Sequence, residues 1–577
     1  MKLRIAGFAG EIPRTTPRLL QDNYAQFAAN TKLDNGAITP IRRARFVRAL
    51  SGSGLKTIYL FNGTWLSWNK VVNVAEGPVA DNRLYITGDG VPKLRVGGST
   101  FQLKVPRPSK QVTISWEGEV DPELFSTVTY VYTNVTEFDE ESEPSPLSGE
   151  ILWSPGLVVT LGAFDPPDTA RRVNRQRIYR SQTSSLGITT LNFIAERPAS
   201  TDLFVDNSLD IVEPISSTDY NPPPDSLSGI VAGPNGMMAA FTGKDLYFTE
   251  PYIPHAWPQK YVLTVDSEIV GLGWIGSSLV IMTKASPYIA TGTAPENMTM
   301  EKLEVNLPCI NAQGIVDLGY TIAYPSHSGL VTISTNGATV ATEALIRRDQ
   351  WLKMNPYSFK AAQYSGRYMA SYNYTDDDGI EQRGTIIIDL SGTTPFIIRN
   401  FDYADAMYFH IESGSLYVLS GNDVYEWDAL SEPFGEQTWR SKLFVLPSYT
   451  NFGAILVEGE DVSSVSQRAK IAAAAAAIRA SNTALIAAGA AGGDMGATAV
   501  GVVPIGGSLL ASADRDDPAI GITIIADGRE VGYVDKINEV ARLPAGFTAR
   551  SWEIIVRGNV EVTGITLANT PSEIAAG

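Results

Sequence analysis

The stretch SLYVLSGNDVYEWD (Ser415–Asp428) reads as a β-hairpin, two short apolar-rich runs around Gly421-Asn422-Asp423. Gly and Asn tolerate the positive φ that tight hairpin turns require, so turn chemistry and strand pattern agree. The same form recurs outward from it. Toward the amino terminus come Gly366–Tyr374, Gly319–Ser334, Ser278–Thr291 and Met237–Thr249, the last turning at Gly243-Lys244. Further upstream stand Thr57–Trp68, turning at Asn62-Gly63, and Asn82–Thr87, followed by Gly88-Asp89-Gly90. Centres in the second half lie roughly 40–50 residues apart, the period of four-stranded propeller blades, without a WD or kelch signature. The pattern predicts a mainly β fold with a propeller-like core, split into residues 49–108 and 226–436.

Composition agrees. The 577 residues include 51 Gly and 34 Pro, placed mostly between short apolar runs, which rules out a mostly helical chain. The length exceeds a domain of roughly 100–200 residues, so several folding units are expected. Hydrophobic content of 44% and charged content of 19% suit packed cores rather than a disordered chain. A single cysteine, Cys309, excludes an intramolecular disulfide framework and a Cys-based zinc cluster. No apolar h-region follows Met1, and no apolar run reaches the ~20 residues that span a bilayer. The nearest, Ala472–Ala477, is flanked by Arg468, Lys470 and Arg479. A soluble protein made in a reducing cytoplasm is the expectation.

Residues 109–225 differ in character. VTYVYTNVTEFDEESEPSPLS, RRVNRQRIYRSQTSS and LNFIAERPASTDLFVD alternate strand and corner. Their landmarks, Tyr130, Tyr132, Glu143-Pro144-Ser145-Pro146, Ile178-Tyr179-Arg180-Ser181 and Asp206, resemble those of a fibronectin type III-like β-sandwich, here an insertion. Asn221-Pro222-Pro223-Pro224 reads as a stiff exit linker. Residues 437–462 and 513–577 read as a C-terminal β-domain, interrupted by an Ala/Gly-rich helix-and-loop insertion over 463–512. Alanine is the strongest helix former, so a helix is expected within ~463–491.

The formal charge is −17, with 45 Lys+Arg against 62 Asp+Glu, and it is unevenly spread. Residues 1–50 hold nine basic and three acidic residues, whereas 117–150 hold ten acidic residues and no Lys or Arg. Residues 1–48 read as an extended docking arm, broken by Pro13, Pro17 and Pro40, with a short helix expected from about Arg18 to Asn30. Its candidate docking residues are Arg4, Arg14, Arg18, Arg42, Arg43, Arg45 and Arg48. A basic arm suits an acidic neighbouring subunit, and an acidic body repels DNA, so sequence-specific DNA binding is not expected.

Candidate chemistry is sparse. Asp376-Asp377-Asp378-Gly379 lacks EF-hand spacing and reads as a hairpin turn. Glu137, Asp139, Glu140, Glu141 and Glu143 read as a solvated acidic corner rather than a glycosidase pair. His255, His327 and His410 are well separated, and Cys309 reads as a buried structural thiol. Most aromatics fall inside strands and read as core. No Gly-x-Ser-x-Gly, Walker or His-x-x-x-His pattern occurs. No catalytic residue, cofactor or metal ligand is assigned, and the chain is expected not to be an enzyme.

The two ends carry a further likeness. Gly7, Gly10, Pro13, Pro17, Leu20, Ala25, Ala29, Asn30, Leu33, Gly36 and Pro40 resemble the amino-terminal arm of tail nozzle (tubular tail) proteins of short-tailed double-stranded DNA bacteriophages. Trp439-Arg440-Ser441-Lys442, Asn451-Phe452-Gly453-Ala454, Ala526-Asp527-Gly528, Arg542-Leu543-Pro544-Ala545-Gly546 and Trp552-Glu553-Ile554 look similar to the closing parts of that family. The insertion at 463–512 departs from it. The resemblance implies a structural virion protein, a homohexameric ring in the tail, made in the host cytoplasm. Portal-adaptor proteins, tail fibres and the host cell envelope would be its partners, and genome DNA would slide through an acidic lumen without sequence-specific binding. Two alternatives are a host-receptor-binding or adhesin protein, and a propeller glycosidase with acids from separate blades.

Overall fold

The structure is a computed structural model that describes residues 1–183, 187–208, 213–376, 378–392, 395–487, 491–492, 508–509 and 517–575. It is a mainly β protein made of many small antiparallel sheets. Four consecutive four-stranded sheets share one pattern, each strand pairing with the next in sequence. They comprise Asn73–Glu76 to Ser99–Gln102, Ser228–Ala232 to Leu263–Thr264, Ile269–Ile275 to Thr299–Lys302, and Val316–Asp317 to Gly337–Val340. A fifth run of four, from Lys360–Tyr364 to Phe396–Asn400, belongs to a ten-stranded sheet. A sixth sheet takes three strands from Ala406–His410 to Asp423–Glu426 and its fourth, Arg45–Ala49, from the other end of the chain. The hairpin Thr57–Phe61 and Thr64–Trp68 stands alone, with Asn62 and Gly63 both at positive φ (46° and 72°). That is the geometry its Asn-Gly pair predicts.

The first strands of these units touch in succession. Asn73–Glu76 meets Ser228–Ala232, which meets Ile269–Ile275; Val316–Asp317 meets Lys360–Tyr364, then Ala406–His410, then Thr57–Phe61. Shared cores fill the two remaining junctions, around Met282 and Tyr324 and around Phe61 and Leu84. The contacts close into a ring. Strand Ser278–Thr283 explains how: all six residues are buried, Leu279 and Ile281 in one core and Val280 and Met282 in the next. Side chains alternate across a strand, so a continuous apolar run serves two neighbouring sheets at once.

Residues 109–225 form two three-stranded sheets, Thr113–Glu117/Val158–Gly162/Phe204–Asp206 and Tyr130–Thr136/Val173–Thr183/Thr189–Pro198, with a short pair between Ser126–Val128 and Ile151–Trp153. Tyr130, Tyr132, Val159, Leu161, Phe164 and Ile178 pack between them. The expected landmarks meet there: Tyr130 Oη donates to Asp206 (2.8 Å), and so does the Arg180 guanidinium (2.9 Å).

The amino-terminal segment does not extend away from the body. Lys2–Ala6 pairs with Glu561–Ala568, and Ala25–Ala29 lies between Phe396–Asn400 and Gln437–Ser441 inside the ten-stranded sheet. The helix expected from about Arg18 to Asn30 is therefore a turn followed by a strand. Ala25, Ala28 and Ala29 are fully buried, and Ala25 and Ala28 share a core with Trp439, whose Nε1 donates to the Ala9 carbonyl. Tertiary pairing overrides the local helical preference. The carboxy-terminal unit is thus built from both ends. One sheet holds Lys2–Ala6, Glu561–Ala568, Ala454–Glu460 and Val540–Arg542, and the other holds Ala25–Ala29, Gln437–Ser441, Ala549–Gly558, Ile520–Ala526 and Arg529–Val534. Phe8, Trp439, Phe452, Ile455, Trp552, Ile554 and Ile565 fill the space between.

The expected alanine helix runs Val465–Ala487. Ser464 and Gln467 form a capping box, each side chain accepting the other's backbone N–H. Only Gln467, Ile471 and Ala475 are buried, one face of the first three turns. The loop part of the insertion lies largely outside the described residues.

Candidate functional site

The seven arginines do not converge. Arg4 sits on an outer strand, 3.7 Å from Glu458, and Arg14 donates to the Glu343 carbonyl in the turn after the fourth sheet. Arg42 lies over the Phe434 ring, 3.6 Å from Asp428; Arg45 pairs with Glu426; and Arg43 lines two surface cavities nearby. Arg18 and Arg48 are exposed and make no ion pair or side-chain hydrogen bond among the described residues. The arm's charge is therefore partly used internally, where Lys32 also joins Asp428 at 2.5 Å.

The acidic corner is a correction. Glu140 and Glu141, expected to be solvated, are buried. Glu140 pairs with buried Arg171, whose guanidinium also donates to the carbonyls of Leu103 and Lys104, with Arg83 of the first ring sheet 3.7 Å away. Glu141 accepts bonds from Thr133, Tyr179, Ser217 and Arg177. Only Glu137, Asp139 and Glu143 remain nearer the surface, and each still has a partner, Arg172, Arg175 and Asn221. Of these carboxylates Glu140 is the one that reaches the ring, through Arg83 and through the Arg171 bonds to Leu103 and Lys104; the other side chains bind residues of the inserted two-sheet unit and the segment after it. The sequence signal was the matching run of arginines at 171, 172, 175 and 177, in and just before the neighbouring strand.

His255 belongs to this junction. Its Nε2 donates to the Glu141 carbonyl (2.9 Å), which leaves Nδ1 as the acceptor of a neutral ring. Nδ1, Glu140 Oε1, Arg171 Nη1 and Tyr85 Oη have no hydrogen-bond partner among the described residues. Burial holds the imidazole below its usual range, opposed by Glu140 and Glu141 and reinforced by Arg171. The unfolded chain then takes up this proton more readily, so the junction is expected to lose stability as pH falls below about 6.5 toward the folded pKa. Melting of the intact protein at pH 8 and pH 5.5 checks this. The drop should shrink in His255→Gln, and an unchanged drop would rule the histidine out.

The other candidates are structural. Asp376 accepts the backbone N–H groups of Asp378 and Ile380 in the expected hairpin turn; Asp377 lies outside the described residues. Cys309 is buried, which pushes its thiol up to about 12. His327 contacts Tyr357 Oη, and His410 contacts Ser413 Oγ. Among the described residues no three His, Cys, Asp or Glu side chains group as a metal site, and no helix is long and apolar enough to cross a membrane.

One cavity went unanticipated. A cavity of about 700 Å³ opens at one end of the ring, lined by Lys56, Gln313, Tyr357, Ser358, Lys360 and Asp405 among others. These residues lie at or just before the first strands of several sheets, so ring closure assembles them. A second cavity of about 620 Å³ shares Tyr403, Asp405 and Gly421 with it and adds Arg383. Sequence reading missed it because its residues are spread from 54 to 422 with no common motif.

No protein-family model matches the chain, and no curated protein matches it. Among solved structures it is similar to the AfRom2 CNH domain, at 9% identity and TM-score 0.27, over 67% of this chain and 98% of that one. It is also similar to the extracellular domain of a hybrid two component system from B. thetaiotaomicron, at 10% identity and TM-score 0.22, over 73% of this chain and 56% of that one.

Proposed function

We propose that this chain is a tail nozzle protein of a short-tailed double-stranded DNA bacteriophage, a structural virion component and not an enzyme. In this reading the ring of sheets is a propeller-like core, the inserted two-sheet unit is a fibronectin type III-like sandwich, and copies of the chain close into a tube. The supporting observation is that the two stretches in which the family resemblance lies, residues 5–43 and 439–554, far apart in sequence, pack on one another. Phe8 packs edge-on against Trp439 (4.9 Å), Gln26 donates to the Ser441 carbonyl and to Glu553, and Lys442 pairs with Asp22. Phe452 packs on Trp552 (4.9 Å), and the Leu543 N–H donates to the Gly453 carbonyl. A network of this kind is what a shared family unit built from both chain ends requires.

An acidic lumen supplies the mechanism: it repels the DNA backbone, and without Lys and Arg to replace counterions the DNA slides during ejection. Cryo-electron microscopy of the particle, with no symmetry imposed, tests the assignment. The expected result is a ring of this subunit around an axial channel of DNA width, beneath portal and adaptor rings, with fibres on the sandwich. A monomer, or a trimer at a fibre tip, would move the chain to host-receptor binding.

A further inference from the structure

We propose that the cavity at the open end of the ring is a binding site for an acidic saccharide. Four side-chain amides line it, and each spends an N–H on the chain. Gln313 donates to the Lys56 carbonyl (3.2 Å), Asn355 to the Asn373 carbonyl (3.0 Å), Asn373 to Glu381 (2.7 Å) and Asn422 to the Gly52 carbonyl (2.8 Å). Their amide oxygens accept no bond among the described residues, and each amide keeps a second N–H, so the wall holds acceptors and donors in fixed places. Such a wall wants groups that both donate and accept, and a sugar presents hydroxyls on every ring carbon that is not otherwise linked.

Charge selects among sugars. Lys56 and Lys360 line the cavity with no carboxylate partner among the described residues, and they outnumber its one lining carboxylate, Asp405, which accepts the Gly421 N–H. Lys360 donates to Tyr403 Oη and lies 4.8 Å from the centre of that ring, which fixes its ammonium at the boundary between the two cavities. Arg383 approaches the same ring at 5.9 Å. A carboxylate on the ligand would find charge-assisted donors here. Tyr357, 55% exposed, and Tyr374, stacked on Tyr372 at 6.0 Å, offer flat apolar faces for the C–H side of a sugar ring. A polyphosphate backbone fits less well, because it has no donors for the amide oxygens. The site stands on the ring alone and does not depend on assembly into a tube.

The test uses the full chain and four probes of similar length: polysialic acid, polygalacturonate, neutral dextran and single-stranded DNA. Calorimetry or fluorescence titration is expected to give saturable binding of at least one acidic polymer, with dextran and DNA weaker by about tenfold or more. Loss of a charge-assisted bond at Lys56→Gln should weaken binding by about tenfold. Tyr357→Ala should do likewise, and neither exposed substitution should shift the melting temperature. Lys2→Gln, remote from the cavity, should bind normally. The proposal is overturned if neither acidic polymer binds, if binding survives both cavity substitutions, or if DNA binds as well as the acidic sugars.

Discussion

Removing residues 1–48 is expected to leave a chain that does not fold, rather than a folded chain that fails to dock. The segment supplies Lys2–Ala6 to one sheet of the two-ended unit and Ala25–Ala29 to the interior of the other. It also buries Ile5, Phe8, Leu20, Tyr24, Ile38 and Ile41. At about 1.5–3 kcal/mol for each such side chain, the loss is comparable to the entire ~5–15 kcal/mol that stabilises a domain. Glu11, buried against Arg399 at 2.9 Å and the Ala28 N–H, would go too and leave Arg399 uncompensated. Expression of 49–577 should therefore yield aggregate or a chain without a cooperative melt; a soluble, cooperatively melting product would contradict this account. Docking is better probed with Arg18→Glu and Arg48→Glu. These exposed residues have no partner among the described residues, and their substitution should change stability by within about 0.5 kcal/mol. Reduced incorporation into particles with an unchanged melt is the expected result, and normal incorporation of the double variant would remove these arginines from the docking surface.

Breaking the Glu140–Arg171 pair carries the second large effect. Both groups are buried, and Arg171 ties the sandwich to the Leu103 and Lys104 carbonyls where the chain leaves the ring. Glu140→Ala should cost about 3–5 kcal/mol, because it strands a buried guanidinium beside Arg83. Replacing both partners, with Glu140→Met and Arg171→Met, should recover much of that loss, since an apolar pair removes the desolvation penalty along with the attraction. Denaturant titration of the two variants against the parent measures the difference. A double variant as unstable as Glu140→Ala would mean that the Arg171 carbonyl bonds, not the ion pair, hold the junction.

Why the acidic corner misled the sequence reading is instructive. A run of carboxylates with no basic neighbour in sequence looks solvated. The strand Val173–Thr183 and the loop before it bring Arg171, Arg172, Arg175 and Arg177 alongside, and register across strands is not visible in either run alone. The arm misled for a related reason. Proline spacing and an alanine-phenylalanine cluster suggested turns and a helix, but Ala25–Ala29 pairs between two strands from distant parts of the chain, with Ala25 and Ala28 in the core. Local preference is worth tenths of a kcal/mol per residue, and burial within a sheet outweighs it.

Local information was enough wherever one hairpin's own residues carried the instruction. Alternating apolar runs, Asn-Gly and Gly-Asn turns and the Ser464–Gln467 capped alanine run act over fewer than ten residues, so the β-class, the repeating small sheets and the long helix were legible directly. Tertiary structure alone decided the rest. It set which sheet received the amino-terminal strands, which arginine each buried carboxylate met, and that side chains between residues 54 and 422 line one cavity. Those choices depend on closing the ring and on pairing strands hundreds of residues apart, where the free energy lies in shared burial rather than in any local pattern.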